Sequence, residues 1–346
     1  MMAAMSEEHA GRFRSHKTYV EAFAWLGGRQ LMTSEGTALQ RLASRFQGPG
    51  PVVDKQPASI DYEQVRKSLR NAWSTEVLLG LPGKWAADED EFIRLSNTWG
   101  VVQAYYVGYH VTQALVVAKG QTRPTSHPKT QQLYATLWVD RAIANPPWSL
   151  GIGHAGWKNL PSDVNIDHGI HSWSACNGET CWSLAAKALK STRDDAVRAQ
   201  IKSMRDEGQR KRKAAWETEE RLRLAQGRRA RARPASFPRP QLTPGEKDAC
   251  DQKVRTFTLL DYLYRLRVGA NYDDSAVFTD GPENDVDSYL LHRRLAYLAS
   301  GMALMSEFRI RQLVGSTRFD RWADTFIAGN IPPGYSIGVK ARRGHF

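Results

Sequence analysis

The chain has 346 residues, 41% hydrophobic and 24% charged, and its 48 Lys and Arg against 36 Asp and Glu give a formal charge of +12 at pH 7. This apolar content excludes a wholly disordered chain, and no apolar run approaches the ~18 residues of a membrane-spanning helix. Because the N-terminal residues also lack a secretory pattern, we expect a soluble, cytoplasmic protein.

Three cysteines, Cys176, Cys181 and Cys250, are too few for a disulfide framework, and an odd number fits a reducing compartment. The excess of positive charge favours an anionic partner, most often nucleic acid. A basic surface that only serves solubility is the alternative.

Apolar periodicity and helix-stop signals predict an almost entirely helical chain. The predicted helices cover 17–26, 34–46, 61–79, 89–120, 128–144, 179–226, 247–267, 286–314 and 317–328. Only PVVD (51–54) and YSIGVK (335–340) have strand character, and both are short. The expected fold class is therefore all-α.

The stretch 89–120 is the longest apolar helical segment. Its apolar residues recur every three or four positions, and only Gln113 interrupts that row. Tyr105 and Leu115 lie on the opposite side, so we expect this helix to be buried nearly all round. Asp61 is the expected cap of one helix, and Thr125 or Ser126 of another.

The segment 149–178 is rich in Gly, Trp, His, Asn and Asp and shows little periodicity. Residues of zinc-binding type occur there at His168, His171, Cys176 and Cys181. The two cysteines are five positions apart, which fits a zinc site poorly, so an irregular loop ordered by tryptophan packing is the preferred interpretation. The GxGxxG pattern at 151–156 lacks the flanking strand and helix of a dinucleotide site, so we expect no metal and no cofactor.

Two separated stretches resemble the HEPN superfamily of small helical bundles. NTWGVVQAYYVGYHVTQALVVAKGQTRPTSHPKTQQLYATL (97–137) is similar to that family's aromatic-rich central helix, the following loop with its Ser-His pair, and a further helix. LLDYLYRLRVGANYDDSAVFTDG…LLHRRLAYLASGMALMSEFRIRQLVG (259–315) is similar to the closing pair of helices. The resemblance implies an all-α bundle, often dimeric, in prokaryotic defence or toxin–antitoxin systems, and often a metal-independent RNase.

The family's nuclease signature is an arginine followed on the same helix face by a histidine. Arginine can then hold a phosphate while histidine moves a proton from a 2′-hydroxyl. The family's signature has four to six residues between the two. No histidine of this chain has an arginine five to seven positions before it, and Arg267-Val-Gly-Ala-Asn271-Tyr272 places a tyrosine at the matching position instead. Either other segments rebuild the site, with His110 or His127 as the base, or the fold has kept binding and lost cleavage.

The catalytic candidates are therefore Arg267, Asn271, Tyr272, His127 and His110. Arg265 is an additional phosphate contact, and Arg267 and Asn271 share a face at i,i+4 spacing. An ordinary helix C-terminus with cations and a terminal Asn explains the same group. The non-catalytic alternative for His110 is an ordinary position in the core. The alternative for His127 is an exposed position near a helix start.

The stretch 201–234 carries twelve Lys and Arg against five Asp and Glu. Its Arg- and Pro-rich continuation, 228–239, contains no acid, so we expect a flexible basic arm that holds a phosphate backbone. The expected nucleic-acid contacts are Arg210, Lys211, Arg212, Lys213, Arg228, Arg229, Arg231 and Arg233, together with Arg265. A solvated helix or an acidic protein partner is the alternative.

These observations predict an HEPN-like bundle with a helical extension and a large basic insertion. The expected divisions are an extension (1–60), a first bundle part (61–145), an insertion (146–246), a second bundle part (247–330) and a basic, loop-like tail (331–346). The expected function is nucleic-acid binding, RNA rather than DNA, in a defence or toxin–antitoxin system, with metal-independent endoribonuclease activity as the enzymatic hypothesis. A homodimer or protein partner is expected, but no membrane association.

Two other hypotheses stay open at this point. One is a catalytically inactive scaffold or adaptor in a larger nucleoprotein complex. The other is a toxin-like chain neutralised by a partner that covers 259–272.

Overall fold

A computed structural model describes residues 2–28, 35–47, 56–85, 90–139, 145–153, 178–273 and 275–345. The helices are α1 Met2–Leu26, α2 Glu35–Gln47, α3 Tyr62–Gly80, α4 Pro82–Trp85, α5 Asp90–Ala118, α6 His127–Trp138, α7 Gly178–Ala225, α8 Pro244–Lys253, α9 Leu259–Val268, α10 Ser275–Thr279, α11 Asp285–Val314, α12 Ser316–Asn330 and α13 Val339–Arg342. A π-helical turn, Gly269–Asp273, follows α9, and a 3₁₀ turn, Arg343–His345, follows α13. The predicted all-α helical bundle is confirmed.

Helix α5 lies at the centre of the core, packed chiefly against α3, α11 and α9. Leu115, Leu260 and Leu304 are fully buried members of one hydrophobic cluster. Gly108 allows the close approach, because a Cβ there would lie 2.8 Å from Met302 and 2.9 Å from Leu260. The stretches 97–137 and 259–315 therefore contribute to a single bundle.

The long predicted helices are observed near their expected bounds. Asp61 caps α3 by accepting a hydrogen bond from the Gln64 amide at 2.9 Å, and Ser126 caps α6. Helix α7 continues without a break for 48 residues. Predicted helix 128–144 instead begins at His127 and ends at Trp138, and 140–144 lie outside the described residues. None of the described helices combines the length and apolar character needed to cross a membrane.

The single helix predicted for 247–267 is wrong. Helix α8 ends at Lys253, and a short strand β2 (Phe257–Thr258) precedes α9. The Thr258 amide and hydroxyl both donate to Asp261, at 2.8 and 2.9 Å, so a new helix start competes with continuation of α8. Strand β2 pairs antiparallel with β1 (Gly151–Ile152).

Of the two short stretches with strand character, 335–340 forms no strand, because Val339 begins α13. The other stretch, 51–54, lies outside the described residues. The C-terminal segment is not simply a loop-like basic tail, since Arg342 is fully buried. Its guanidinium contacts Glu76 and donates to Glu307 at 2.7 and 3.0 Å. This ion triad anchors the chain end to α3 and α11.

The segment 228–239 runs back along α7 rather than forming a free arm. Arg231 binds Glu220 at 2.7 Å and Glu219 at 3.0 Å, and Arg239 binds Asp206 at 2.7 Å. Phe237 packs edge-on against Trp216 with ring centroids 6.0 Å apart. The acids of α7 neutralise these arginines, which explains why the predicted flexible arm is docked.

Candidate functional site

Arg267 lies near the end of α9 among three tyrosines. Its Nη2 donates to the Tyr106 hydroxyl at 3.1 Å. The guanidinium carbon lies 5.3 Å from the Tyr106 ring centroid, 5.6 Å from that of Tyr264 and 6.0 Å from that of Tyr105. Aromatic rings attract such a cation through their quadrupoles, so the tyrosines hold the arginine without neutralising it.

The charge of Arg267 has no carboxylate partner among the residues that the structure describes. Its Nε is buried and has no hydrogen-bond partner, while the residue as a whole is half-buried. Arg265, two positions earlier, instead pairs with Asp195 at 2.8 Å and donates to Ser191 at 2.8 Å. Arg267 is therefore the better candidate to hold an anion.

His127 lies at the start of α6 and faces the same tyrosines. Its Nδ1 is 2.7 Å from the Tyr105 hydroxyl, and its ring centroid is 4.8 Å from that of Tyr109 and 5.4 Å from that of Tyr264. Burial lowers its pKa, and the positive charge of Arg267 lowers it further. The imidazole is therefore neutral at pH 7 and able to accept a proton.

Tyr105 stays a neutral phenol, because burial raises its pKa. When His127 carries its proton on Nδ1, it donates to the Tyr105 oxygen, and Nε2 keeps its lone pair. In this tautomer the hydrogen bond fixes the ring and leaves Nε2 as the basic nitrogen.

His110 extends this group of residues along α5. Its ring stacks on Tyr106 with centroids 5.8 Å apart, and its Nδ1 is 3.4 Å from Gln113 Oε1. Burial lowers the pKa of His110 to about 4. Gln113 also accepts from Arg123 at 2.9 Å and donates to the Pro124 carbonyl at 2.7 Å. These bonds explain why one glutamine interrupts an otherwise apolar row.

We name this group the Tyr-Arg-His cluster. It consists of Tyr105, Tyr106, Tyr109, His110, Gln113, Arg123, His127, Tyr264 and Arg267. Arg267, His127 and His110 were candidates from the sequence, and the structure brings them to the same tyrosines. The cluster supplies a cation, a neutral imidazole and two half-buried tyrosine rings, Tyr106 and Tyr264, at one place on the bundle.

Asn271, a further catalytic candidate, does not join the Tyr-Arg-His cluster. Asn271 is exposed and has no described contact with Arg267. The expected i,i+4 pairing does not form because Gly269–Asp273 is a π-helical turn, whose wider winding rotates the following side chains. The side chain of Tyr272 lies outside what the structure describes.

A cleft of about 740 Å³ adjoins the Tyr-Arg-His cluster, with Tyr264 in its lining. Helices α1, α6, α7 and α9 form its walls, which carry Arg12, His16, Arg255 and Arg265 among aromatic side chains. Arg255 is held by Asp261 and Gln131, and its guanidinium lies 4.8 Å from the Phe257 centroid. Pockets of this volume accommodate ligands of nucleotide size.

The basic candidates of α7 and its connector differ in how much of their charge is compensated. Lys211 and Lys213 pair with Glu207 and Glu217, Arg233 pairs with Glu217, and Arg212 donates to the Pro238 carbonyl. Within the described part of the chain, no acid lies within ion-pair distance of Arg210, Arg228 or Arg229, and all three are exposed. These three arginines therefore keep their charge for an external anion.

Three of the four suggested zinc ligands, His168, His171 and Cys176, lie outside the described residues. The fourth, Cys181, is fully buried beside Ala22 and Leu184. Among the residues that the structure describes, no three His, Cys, Asp or Glu side chains are grouped to hold a metal. Gly151 of the GxGxxG pattern lies in β1, and the rest of the pattern after Gly153 is not described.

Sequence reasoning missed several members of the Tyr-Arg-His cluster. Tyr106 and Tyr109 were assigned to the apolar row of α5 and Tyr105 to its opposite side, all as core residues, because aromatic residues at helical spacing look the same in a core and in a site. Arg123 could have been noticed from the sequence, because it stands only four residues before the candidate base His127. Tyr264 lies one turn before Arg267 on α9, and its pairing with α5 required the fold.

No protein-family model matches the chain, and no curated protein and no solved structure matches it either.

Proposed function

We propose that this protein is an HEPN-like RNA-binding protein that cleaves RNA without a metal at the Tyr-Arg-His cluster. The observation that carries the proposal is that Arg267, without a described carboxylate partner, and neutral His127 contact the same tyrosines. The resemblance of 97–137 and 259–315 to the HEPN superfamily supports it. A defence or toxin–antitoxin role belongs to the same proposal.

Each residue has a defined task in this reaction. His127 Nε2 takes the proton of a ribose 2′-hydroxyl, and the 2′-oxygen attacks the adjacent phosphorus. The bond from phosphorus to the 5′-oxygen breaks, and that oxygen takes a proton from water. Arg267 stabilises the negative charge that develops on the phosphoryl oxygens. The products are a 2′,3′-cyclic phosphate and a 5′-hydroxyl end.

The surrounding residues suit a single-stranded RNA. Half-buried Tyr106 and Tyr264 offer ring surfaces on which bases can stack, and the adjoining cleft is large enough for one nucleotide. The nucleophile is the 2′-hydroxyl, so the chemistry selects RNA over DNA. Exposed Arg210, Arg228 and Arg229 supply further, sequence-independent phosphate contacts.

The test is incubation of pure full-length protein with labelled single-stranded RNA in EDTA. We expect cleavage that leaves cyclic phosphate ends and disappears when the 2′-hydroxyl at the cleaved position is replaced by hydrogen. Arg267→Ala and His127→Ala should each slow cleavage by at least roughly 100-fold, whereas Arg66→Ala, at an exposed arginine of α3, should not change it.

Three outcomes would contradict this proposal in different ways. RNA that is bound but stays intact would leave an inactive RNA-binding scaffold. Cleavage that requires a metal, or that keeps its full rate in both cluster variants, would place the reaction elsewhere. The absence of any RNA binding would contradict both the ribonuclease and the inactive RNA-binding scaffold.

A further inference from the structure

A second cavity lies between α3, α4, α11 and the C-terminal residues. Its volume is about 320 Å³, and it shares no described lining residue with the cleft beside Tyr264. Glycines open it: a Cβ at Gly338 would lie only 3.2 Å from Glu76 Oε2, and Gly80 and Gly83 also line it. This cavity is therefore separate from the proposed RNA site.

One end of this cavity is acidic. Glu76 is only 3% exposed, and its Oε1 accepts from Ser300 at 2.6 Å and contacts Arg342. Its Oε2, also buried, has no hydrogen-bond partner. Glu307 shares Arg342, so two carboxyl groups lie beside a single guanidinium. Burial raises the pKa of Glu76 because it disfavours the ionised carboxylate. A cation beside Oε2 would stabilise that ionised form.

The opposite end is basic. His292 is 1% exposed, and neither of its ring nitrogens makes a well-formed hydrogen bond. Burial lowers its pKa to about 4, although the nearby Leu79 backbone acts in the other direction. His292 lies eight residues before Ser300 on α11, which corresponds to about 12 Å along the helix. Lys84 and Arg293 line the cavity as well, and Lys84 is exposed.

The middle of the cavity is apolar. Leu79, Ala296 and Ile337 line it, and Ala296 stands midway between His292 and Ser300 on α11. The order from one end to the other is thus carboxylate, apolar wall, and then imidazole with two cations. We propose that the cavity binds a linear zwitterion in which a short apolar chain joins an ammonium group to a carboxylate.

Each end group of the ligand has a defined partner. The ammonium donates to Glu76 Oε2, and the carboxylate lies against Lys84 and Arg293 and accepts from the N–H of neutral His292. A phosphate or other simple anion would be repelled by Glu76. The described residues also offer too few donors at either end for a metal ion.

The binding experiment uses 6-aminohexanoate with the full-length protein, by titration calorimetry and by thermal shift. Hexanoate and hexylamine each lack one charged end and serve as controls at matched ionic strength. We expect saturable binding of 6-aminohexanoate and at least roughly tenfold weaker binding of both controls. No binding of 6-aminohexanoate, or equal binding of one control, would overturn the proposal.

Variants at the two ends test the orientation. Glu76→Gln preserves the shape of the side chain, and Lys84→Met changes an exposed residue that the fold does not need. Each should weaken binding by roughly tenfold or more, whereas Glu63→Gln, at an exposed glutamate of α3, should leave it unchanged. Unchanged affinity in Lys84→Met and Glu76→Gln would refute the assignment, and neither variant should alter RNA binding.

Discussion

Arg342 and Arg267 occupy the same helical bundle, yet their surroundings differ in one respect. Arg342 is fully buried between two carboxylates, and Trp73 completes the group by donating to Glu307 at 2.7 Å. Arg267 is half-buried against tyrosine rings, with no carboxylate partner among the described residues. The charge of Arg342 is compensated by two buried carboxylates, whereas the charge of Arg267 stays available to a ligand.

The largest expected effect is on Arg342. Arg342→Met leaves Glu76 and Glu307 buried without their cation, and breaking a buried pair in this way costs roughly 3–5 kcal/mol of unfolding free energy. Urea denaturation measures it. Arg343→Met is the matched control, because Arg343 pairs with Asp320 and Asp324 near the surface and should contribute less than about 1 kcal/mol. Equal losses in the two variants would contradict the assignment.

Arg267 should show the reverse pattern. Arg267→Ala removes a transition-state interaction and should slow RNA cleavage by roughly 100- to 1000-fold, while the unfolding free energy changes by no more than about 1 kcal/mol. Single-turnover kinetics and urea denaturation measure the two quantities on the same preparation. Arg267→Lys keeps the charge but not the planar donor and should be intermediate. A severe loss of stability would assign Arg267 to the fold instead.

His292 links the fold to pH. Its pKa falls from about 6.5 in the unfolded chain to about 4 in the folded one, so the unfolded state binds a proton first as the pH drops. The contribution to stability is complete above pH 6.5 and declines by roughly 1.4 kcal/mol per pH unit down to about pH 4. His292→Gln should flatten this part of the urea-midpoint profile, and an unchanged profile would exclude His292 as its source.

The smallest effect concerns the basic segment along α7. Replacing Arg228 and Arg229 together by glutamine should make the slope of log affinity against log salt shallower, by roughly 0.7 for each phosphate that the variant no longer neutralises. The same change at Arg231 and Arg233 should do less, because Glu220 and Glu217 already neutralise them. Fluorescence anisotropy across a salt series compares the two double variants. An equal reduction of the salt slope in the two double variants would show that arginines paired with acids still contact RNA phosphates.

The helices were predictable where one local signal dominates. Asp61 marks the start of α3, and a long apolar row marks α5. The break between α8 and α9 was missed although Thr258 and Asp261 form a local helix-start pattern, because a single helix over 247–267 also fits the helical periodicity. The burial of Arg342 was hidden, since its two carboxylate partners are distant in sequence.

The candidate site was predictable in part. The resemblance directed attention to Arg267, and a Ser-His pair at a helix start drew attention to His127. Tyr105 and Tyr264 could not be assigned, because they meet only when α5 and α9 pack together. The ion pairs along 228–239 were missed for a similar reason. The composition counts the charges but does not show that this basic segment folds back onto the acids of α7.

The uninterrupted course of α7 sets a minimum footprint for any RNA that uses both regions. Asp195, which holds Arg265 at the cleft, precedes Ala225 by 30 residues, and a straight helix of that length spans about 45 Å. At about 3.4 Å per nucleotide of a regular strand, bridging that span takes roughly 13 nucleotides. Shorter oligonucleotides would engage one region at a time, so affinity should rise in a step rather than smoothly as the RNA is lengthened.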